Sequence, residues 1–308
     1  MRDERARPRR QVQLSCPGLT PLGSQLERMR TIAASGAGAV RELARVPAEN
    51  ARHRPAPPPE GLVLDVGGGQ SPHLRADVVV DKYVVDDFER AGSLNLSKPL
   101  VVADGHRLPF ADGTFAYAIA MHVVEHATDP VQFTAELARV SAAGFVQVPT
   151  LESELTFGWP YHPWTINRDG ETLVFTPKGE RSAPLGPLFH ESFSKSMLFR
   201  LWWSAYRSRW HHSLEWRGEL NVRVQGASQA EQTAALDVER TIAALRVLRE
   251  GGALHPLPSA VEAALRCPVC RAELTPAGDR LSCTGCARTY PIVGATPVLL
   301  EEAVTAEV

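Results

Sequence analysis

Four of the five cysteines lie in the last fifth of the chain as two C-x-x-C pairs. Cys267 and Cys270 form the first pair, and Cys283 and Cys286 form the second pair after twelve intervening residues. Each pair supplies two sulfurs from one tight turn, and four thiolates suit the tetrahedral coordination of Zn²⁺. The spacing therefore predicts a structural zinc site that leaves no position open for water.

A disulfide framework is the alternative for these cysteines, and it requires an oxidising compartment. The first ten residues carry five arginines and no apolar segment follows them, so they are not expected to be a secretory signal. We predict a disordered, solvated tail, with a phosphate-binding arm as the alternative. The most apolar tract near the aromatic residues, "MLFRLWW", is much shorter than the roughly 20 residues that cross a bilayer. We therefore expect a cytoplasmic protein with no membrane partner and with reduced cysteines.

Glycines and carboxylates follow apolar runs in the first half of the chain. The run "LVLDV" contains Asp65 and is followed directly by three glycines, while Asp81 and Asp104 end the runs "DVVVD" and "LVVAD". The glycines are Gly67, Gly68 and Gly69. Glycine lets a ligand approach the backbone closely, and carboxylates accept hydrogen bonds from ribose hydroxyls or an exocyclic amine. These residues predict a site for an adenosine-containing ligand.

Two other nucleotide loops fit the glycines less well. A dinucleotide fingerprint requires a third glycine at position 72, where this chain has Pro72, so NAD is disfavoured. A P-loop requires Gly-Lys followed by Ser or Thr, and that sequence does not follow the glycines. The short stretch "QSPHLR" predicts only a turn or two in place of a full first helix.

The elements that position these residues are short apolar runs separated by crossovers. The runs are "LVLDV", "DVVVD", "LVVAD", "FAYAIAM" and "FVQVP". An amphipathic helix that begins at Asp129-Pro130 and ends near Gly144 separates the last two. Continuous apolar strands joined in this way are typical of a parallel sheet covered on both faces. We predict an α/β fold with a doubly wound, Rossmann-like sheet and a small C-terminal zinc-ribbon domain.

Further elements flank this sheet. Helical periodicity predicts helices over Ser24 to Val46 and over Ser228 to Glu250, and alternation around Arg217-Gly218 predicts an antiparallel hairpin at a sheet edge. The segment "WPYHPW" is interpreted either as an aromatic substrate lid or as a packed cover of the sheet edge. We expect three tryptophans at helical spacing to be core residues: Trp202, Trp203 and Trp210.

Three motifs in order along the chain carry a resemblance to a known family. They are "LDVGGG" (Leu64 to Gly69), "DGHRLPFADGTF" (Asp104 to Phe115) and "HVVEH" (His122 to His126). With them, residues 61–149 resemble the class I S-adenosylmethionine-dependent methyltransferases of the type 11-like branch. The resemblance implies a Rossmann-like methyltransferase domain with S-adenosyl-L-methionine as cofactor.

The same resemblance implies roles for individual residues. Asp65 and the glycines 67–69 would line the methionine part of the cofactor, and Asp81 would bind the ribose. Asp104 would hold the adenine together with Gly105 and His106. Met121 and His122 would sit beside the transferable methyl group.

A general base is optional in methyl transfer, because positioning supplies much of the rate. His122 is the preferred candidate, whereas Glu125 and His126 are expected mainly to orient the loop after the strand. The Asn-Pro-Pro-Tyr motif of enzymes that methylate adenine or amide nitrogens is missing from this position, where the chain has "MHVVEH". Methylation of adenine or glutamine by that mechanism is therefore disfavoured.

The cysteine segment carries a second resemblance. Residues Leu265 to Leu300, including "YPI" and "GATPVLL", resemble the small zinc-ribbon protein that activates tRNA, rRNA and release-factor methyltransferases. This implies a ribbon that contacts an apolar surface of the methyltransferase domain within the same chain; a substrate-recruiting ribbon is the alternative. We expect an arginine-rich tail and helix over 1–60, a methyltransferase domain over 61–227, a helix and linker over 228–260 and the ribbon over 261–308.

The net charge of the chain bears on whether it binds nucleic acid. The 308 residues contain 33 Lys plus Arg and 35 Asp plus Glu, a formal net charge of -2, so the whole chain lacks the basic character of nucleic-acid-binding proteins. Nucleic-acid binding is therefore not favoured. We predict methyl transfer to an unidentified acceptor, with a small molecule favoured. The alternatives are a catalytically idle cofactor-binding scaffold and an RNA- or protein-modifying enzyme that uses the ribbon as a built-in activator.

Overall fold

The computed structural model describes residues 40–41, 44–85, 90, 92–179, 183–226, 236–252 and 254–305. The arginine-rich tail, Cys16 and most of the helix predicted over Ser24 to Val46 lie outside these ranges. Residues 44–52 form helix α1, which continues past Val46 and stops before the proline-rich stretch "RPAPPPE". A proline ring has no backbone N–H to continue a helix, which explains this end.

Ten strands form one mixed sheet. Their order across the sheet is β10 (Leu274–Ala277), β11 (Arg280–Cys283), β12 (Thr289–Val293), β13 (Thr296–Leu299), then the five central strands in the order β3-β2-β1-β4-β5, and finally β8 (His211–Arg217). Its centre consists of the five predicted apolar runs, which pair in parallel. Their bounds are β1 (Val63–Val66), β2 (Val78–Asp81), β3 (Leu100–Ala103), β4 (Tyr117–Met121) and β5 (Ala143–Pro149). Nearly every residue of these strands is buried, as expected for a sheet covered on both faces. The fold is α/β with a Rossmann-like central sheet, as predicted.

The helices of the chain differ in how well the sequence predicted them. Helix α2 (Pro130–Val140) begins at the Asp129 cap as predicted, but its predicted end near Gly144 is wrong. Ser141 already has extended backbone and Ala143 starts β5, so the helix ends at Val140, four residues before Gly144. The other helices are α3 (Leu151–Phe157), α4 (Gly186–Lys195), α5 (Met197–Ala205), α6 (Arg207–Trp210), α7 (Val238–Glu250) and α8 (Ser259–Ala264). Of the predicted helix over Ser228 to Glu250, residues 228–235 lie outside the described ranges.

The connection from β1 to β2 contains turns and no helix, as the stretch "QSPHLR" predicted. Pro72 lies in this connection, and the amide of Asp77 returns to the carbonyl oxygen of Val63 at 2.9 Å. The connection between β1 and β2 therefore consists of the glycine turn and a few further turns.

The hairpin predicted around Arg217-Gly218 is wrong. Strand β8 (His211–Arg217) pairs antiparallel with β5 at the sheet edge, but the chain then leaves this sheet. Strand β9 (Val222–Val224) pairs in parallel with β7 (Thr172–Pro177), which forms a hairpin with β6 (Trp164–Asp169). Val222 and Val224 pack against the main core there, so burial of their side chains outweighs the local turn signal.

The three tryptophans do not share one environment. Trp203 and Trp210 are buried and stack with ring centroids 4.3 Å apart, which confirms their prediction as core residues. Trp202 is 42% exposed, so its prediction as a core residue is wrong. Neighbouring residues on a helix point about 100° apart, and α5 has only one face against the core.

The cysteine-rich segment continues the main sheet. It contains β10 (Leu274–Ala277), β11 (Arg280–Cys283), β12 (Thr289–Val293) and β13 (Thr296–Leu299), and β13 pairs in parallel with β3. Its apolar side chains join the two core clusters of the central sheet; examples are Val261, Leu265, Tyr290, Val293 and Val298. The predicted contact between this segment and the sheet is present as a shared sheet and a shared core.

No helix in the described part of the chain is long and apolar enough to cross a membrane.

Candidate active site and zinc site

The glycine turn lies at the carboxyl end of β1. Gly67 and Gly69 have φ values of +70° and +49°, a left-handed region in which other residues are strained. A Cβ on Gly68 would lie 2.8 Å from Oδ2 of Asp65, so the turn also requires glycine there for space. The backbone is therefore bare where the strand ends, at the edge where open α/β sheets bind ligands.

Asp65 lies beneath this turn and is 3% exposed. Its Oδ2 accepts a hydrogen bond from the amide of His73 at 2.7 Å, which closes the loop. Burial raises the pKa of Asp65 to about 6, the hydrogen bond from His73 opposes the rise, and the charge of Asp81 adds to it. A cation above the loop would favour the ionised form of this carboxyl group.

Asp81 ends β2 as predicted, and its carboxylate contacts a residue that the sequence did not suggest. Its Oδ1 accepts from the amide of Tyr83 at 3.0 Å and lies 3.5 Å from Nη2 of Arg90. The same guanidinium donates to the carbonyl oxygen of Tyr83, and a Cβ on Gly69 would lie 3.4 Å from Cδ of Arg90. Arg90 thus spans the space between the glycine turn and the expected ribose carboxylate.

Asp104 follows β3 and accepts three hydrogen bonds. Lys82 donates to its Oδ2 at 2.7 Å, and the amide and Nδ1 of His106 donate to its Oδ1 at 2.8 and 2.7 Å. Burial alone would raise the pKa of Asp104, but the bonds from His106 and Lys82 and the lysine charge hold it well below its ordinary value. A carboxylate accepts about four hydrogen bonds, so one acceptor position on Oδ2 remains.

Gly105 and His106 follow β3 and contact α2 and its cap. A Cβ on Gly105 would collide with the ring of Phe133, so packing against the helix requires glycine. Nε2 of His106 lies 3.2 Å from the amide nitrogen of Asp129, the cap of α2. With Nδ1 donating to Asp104, this ring holds the end of β3 and the start of α2 in one fixed arrangement.

Met121 ends β4, and His122 follows it with a φ of +55°. Nδ1 of His122 lies 3.3 Å from Oε1 of Glu125, and Nε2 lies 3.0 Å from Oε1 of Gln147. Both ring nitrogens of His122 thus lie within hydrogen-bond distance of a side-chain oxygen. A base role for His122 requires that one of these hydrogen bonds be released first.

The four cysteines of the C-x-x-C pairs lie together, with their sulfurs within 4.8 Å of one another. The Cys270 and Cys283 sulfurs are 3.3 Å apart and those of Cys267 and Cys286 are 3.7 Å apart, far beyond the roughly 2.05 Å of a disulfide bond. A tetrahedron with Zn–S bonds of about 2.3 Å places its sulfurs about 3.8 Å apart. The four thiols therefore fit one zinc ion.

Backbone donors support thiolates at this site. The amide of Gly285 donates to the sulfur of Cys283 at 3.3 Å. Hydrogen bonds from the amide and the side chain of Arg288 lower the pKa of Cys286 to about 6. A thiol with a low pKa releases its proton readily when a metal binds.

The comparisons with known proteins concern the centre of the sheet. Residues 64–145 match the family model of a methyltransferase domain. The match begins in β1, includes the glycine turn and ends in β5. It supports a class I methyltransferase domain that uses S-adenosylmethionine.

Three solved structures illustrate the similarity. An S-adenosylmethionine-dependent methyltransferase from Thermotoga maritima is 16% identical, covering 58% of this chain and 72% of its own, with a TM-score of 0.25. The complex of the Haloferax volcanii Trm112 methyltransferase activator with a candidate methyltransferase is 14% identical, covering 61% and 94%, with a TM-score of 0.33. A candidate sarcosine dimethylglycine methyltransferase from Galdieria sulphuraria is 10% identical, covering 61% and 88%, with a TM-score of 0.30. At these scores the similarities carry no argument about function, and no curated protein matches the chain.

Sequence reasoning missed several residues of the site. Arg90 and Lys82 pair with the predicted carboxylates, and His162 approaches the end of β4 from the segment "WPYHPW". Lys82 directly follows Asp81, which was a usable signal for a cation near the site. Arg90 and His162 are brought in by tertiary contacts that no local spacing indicates.

Proposed function

We propose that this protein is an S-adenosylmethionine-dependent methyltransferase that acts on a small-molecule acceptor. The observation that carries the proposal is the match of residues 64–145 to a methyltransferase family model over the segment that contains the glycine turn. Strand β2, which ends at Asp81, lies next to β1, and β3, which Asp104 follows, lies next to β2. Carboxylates at successive strand ends suit the ribose and adenine of one ligand.

In this proposal the turn at 67–69 admits the methionine part of the cofactor. Asp81 accepts hydrogen bonds from the ribose hydroxyls, and the guanidinium of Arg90 contacts the same carboxylate. The remaining acceptor position of Asp104 takes the exocyclic amine of adenine, with Gly105 and His106 forming the floor. Met121 and His122 lie beside the methyl group.

The sulfonium cofactor supplies an activated methyl group when it is bound. The chain must hold an acceptor atom about 3 Å from that group and in line with the bond that breaks, which accounts for much of the rate. His122 is the proposed base, and Glu125 is the residue that orients it. The net charge of -2 favours a small acceptor over a nucleic acid.

We assign the catalytic part to residues 61–227 and a zinc ribbon to 261–308. Zinc held by the four cysteines has no open position, so its role is structural. A ribbon of this size has little core of its own, and metal binding supplies much of its folding free energy. The sheet formed by β13 and β3 makes the ribbon a cap on the catalytic part.

Two measurements test the proposal with the full chain. Calorimetry should detect binding of S-adenosylmethionine and of S-adenosylhomocysteine, but no binding of NAD. Formation of S-adenosylhomocysteine should then be measured against a panel of small molecules, RNA and protein extracts. Binding of NAD alone would reject the proposal, and cofactor binding without turnover on any acceptor would favour the idle scaffold.

A further inference from the structure

A second group of metal-ligating side chains lies apart from the cysteines. Glu125, His126 and His162 place one ligand atom each within 4.8 Å of the others. Glu125 is 1% exposed and His162 is 6% exposed, so two of the three are inside the protein. Solvated acidic clusters are common on protein surfaces, whereas a buried group of this composition needs a physical explanation.

The fold brings the three residues together from two segments. Glu125 and His126 belong to a 3-10 turn, Val124–His126, that follows β4. His162 precedes β6, and the indole of Trp164 donates to the carbonyl oxygen of Ala127 at 2.7 Å. This hydrogen bond fastens the segment that carries His162 against the turn that carries the other two residues.

One oxygen of Glu125 lacks a hydrogen-bond partner. Oε1 lies 3.3 Å from Nδ1 of His122, but Oε2 is buried and contacts no donor among the described residues. A buried carboxylate oxygen without a hydrogen-bond partner is unfavourable unless a cation or a donor compensates it. A metal ion at the centre of the group would supply that compensation.

His162 has a second partner that orients it as a ligand. Its Nδ1 lies 2.7 Å from Oε2 of Glu154, which is 2% exposed. Lys178 contacts the other carboxylate oxygen and balances its charge. A carboxylate that accepts from Nδ1–H leaves the lone pair of Nε2 for a metal, and histidine ligands in proteins usually have such a partner.

We infer that Glu125, His126 and His162 bind a divalent transition-metal ion, with Glu154 as the residue that orients His162. Two imidazoles and one carboxylate suit Zn²⁺, Fe²⁺ or Mn²⁺, whereas Ca²⁺ and Mg²⁺ favour oxygen ligands alone. Three protein ligands also leave a coordination position open, in contrast to the four cysteines. The inference does not depend on methyl transfer.

Metal content separates this site from the cysteine site. After loading with Zn²⁺ and removal of free metal, elemental analysis of the full chain should find two zinc ions per chain. His162→Gln should hold one, and His190→Gln should hold two. His190 is a suitable control because its Nε2 contacts only the carbonyl oxygen of Phe157 among the hydrogen bonds of the described residues.

Cobalt identifies which site is filled. Thiolate ligands give Co²⁺ intense charge-transfer absorption that nitrogen and oxygen ligands do not give. The His162→Gln variant should keep the thiolate absorption and should no longer bind a second Co²⁺ ion per chain. One metal ion per wild-type chain, or a second ion that His162→Gln retains, would overturn the inference.

Glu154→Gln provides a test that does not remove a ligand, in case His162→Gln fails to fold. The altered partner of His162 should weaken binding of the second Zn²⁺ by about 10- to 100-fold in a competition titration with a chelator. The thiolate absorption of the cobalt form should not change. Unaltered affinity of the second ion in Glu154→Gln would contradict the proposed orientation of His162.

Discussion

Val298 of β13 pairs with Val102 of β3 in parallel register, so the last strand of the cysteine-rich segment is the next strand of the central sheet. Both residues are fully buried. Without β13, the backbone groups of β3 would form an exposed sheet edge, which is a template for aggregation. The cysteine-rich segment therefore protects the strand that leads to Asp104.

The first prediction concerns zinc and stability. Cys283→Ser should release the ion from the four-cysteine site and lower the melting temperature of the whole chain by more than about 5 °C, since each kcal/mol lost corresponds to about 2–4 °C in a domain of this size. Elemental analysis with circular dichroism would measure both effects. Cys16→Ser is the matched control, because Cys16 is not one of the four proposed ligands.

A truncation after Pro256 tests the same coupling. We expect it to aggregate, because it exposes the edge of β3 and apolar side chains that Val298 and Leu299 cover. A soluble truncation that binds cofactor normally and melts at the temperature of the full chain would refute the coupling.

The second prediction concerns the glycine turn. Gly68→Ala should weaken binding of S-adenosylmethionine by about tenfold or more, because the new Cβ would approach the carboxylate of Asp65 and displace the turn. Gly251→Ala is the control, since a Cβ there makes only ordinary contacts. Calorimetry measures both affinities, and equal affinities would place the cofactor elsewhere.

The third prediction concerns the ribose. Asp81→Ala removes a charged acceptor and should weaken cofactor binding by roughly 1–3 kcal/mol, or about 5- to 150-fold. Asp169→Ala removes an exposed aspartate that pairs with Arg223 and is not a proposed cofactor ligand, and it should leave affinity unchanged. If Asp81→Ala binds as tightly as the wild type, Asp81 is not a ribose ligand.

The fourth prediction is a pH dependence that Asp65 causes. Its pKa is raised to about 6 by burial, whereas an unfolded aspartate titrates near 4, so the folded state binds more protons between these values. The contribution of Asp65 to the free energy of unfolding is therefore largest below about pH 4. It decreases by about 3 kcal/mol as the pH rises from about 4 to above 6.

Asp65→Asn keeps an oxygen for the amide of His73 and cannot ionise. The difference in unfolding free energy between variant and wild type should therefore move in favour of the variant between pH 4 and pH 7. Urea unfolding at several pH values measures this difference. A constant difference over that range would show that Asp65 does not titrate with a raised pKa.

The fifth prediction concerns His122 and uses an acceptor identified by the screen. If His122 is a base, His122→Asn should lower kcat by about 100-fold and leave cofactor affinity unchanged. Asparagine tolerates the positive φ of this position, so the backbone should keep its shape. A parallel loss of affinity would mean that His122 shapes the pocket instead.

The central strands could be predicted because each one is a short, mostly apolar run, and two of these runs end in an aspartate. The same reasoning could not predict that β9 pairs with β7 instead of β8. Strand β7 lies about 50 residues earlier in the chain, and the pairing depends on burial of Val222 and Val224. The β6–β7 hairpin was missed although its two-residue loop, Gly170-Glu171, begins with the glycine that such turns favour.

The site was predictable where function requires a residue type at a strand end, as for the glycine turn and its carboxylates. Their partners depend on tertiary contacts. Lys82 reaches Asp104 across 22 residues, and His162 reaches the end of β4 only after the chain has formed β5 and α3. Periodicity and spacing carry no information on such pairs.

Strands β13 and β3 belong to one chain, so each β3 always has one β13 within reach. Dilution of the protein does not separate two strands of one chain, whereas a separate subunit would dissociate on dilution below its dissociation constant. The contact between the two strands should therefore be independent of protein concentration. The cell also needs no mechanism to match the amounts of two gene products.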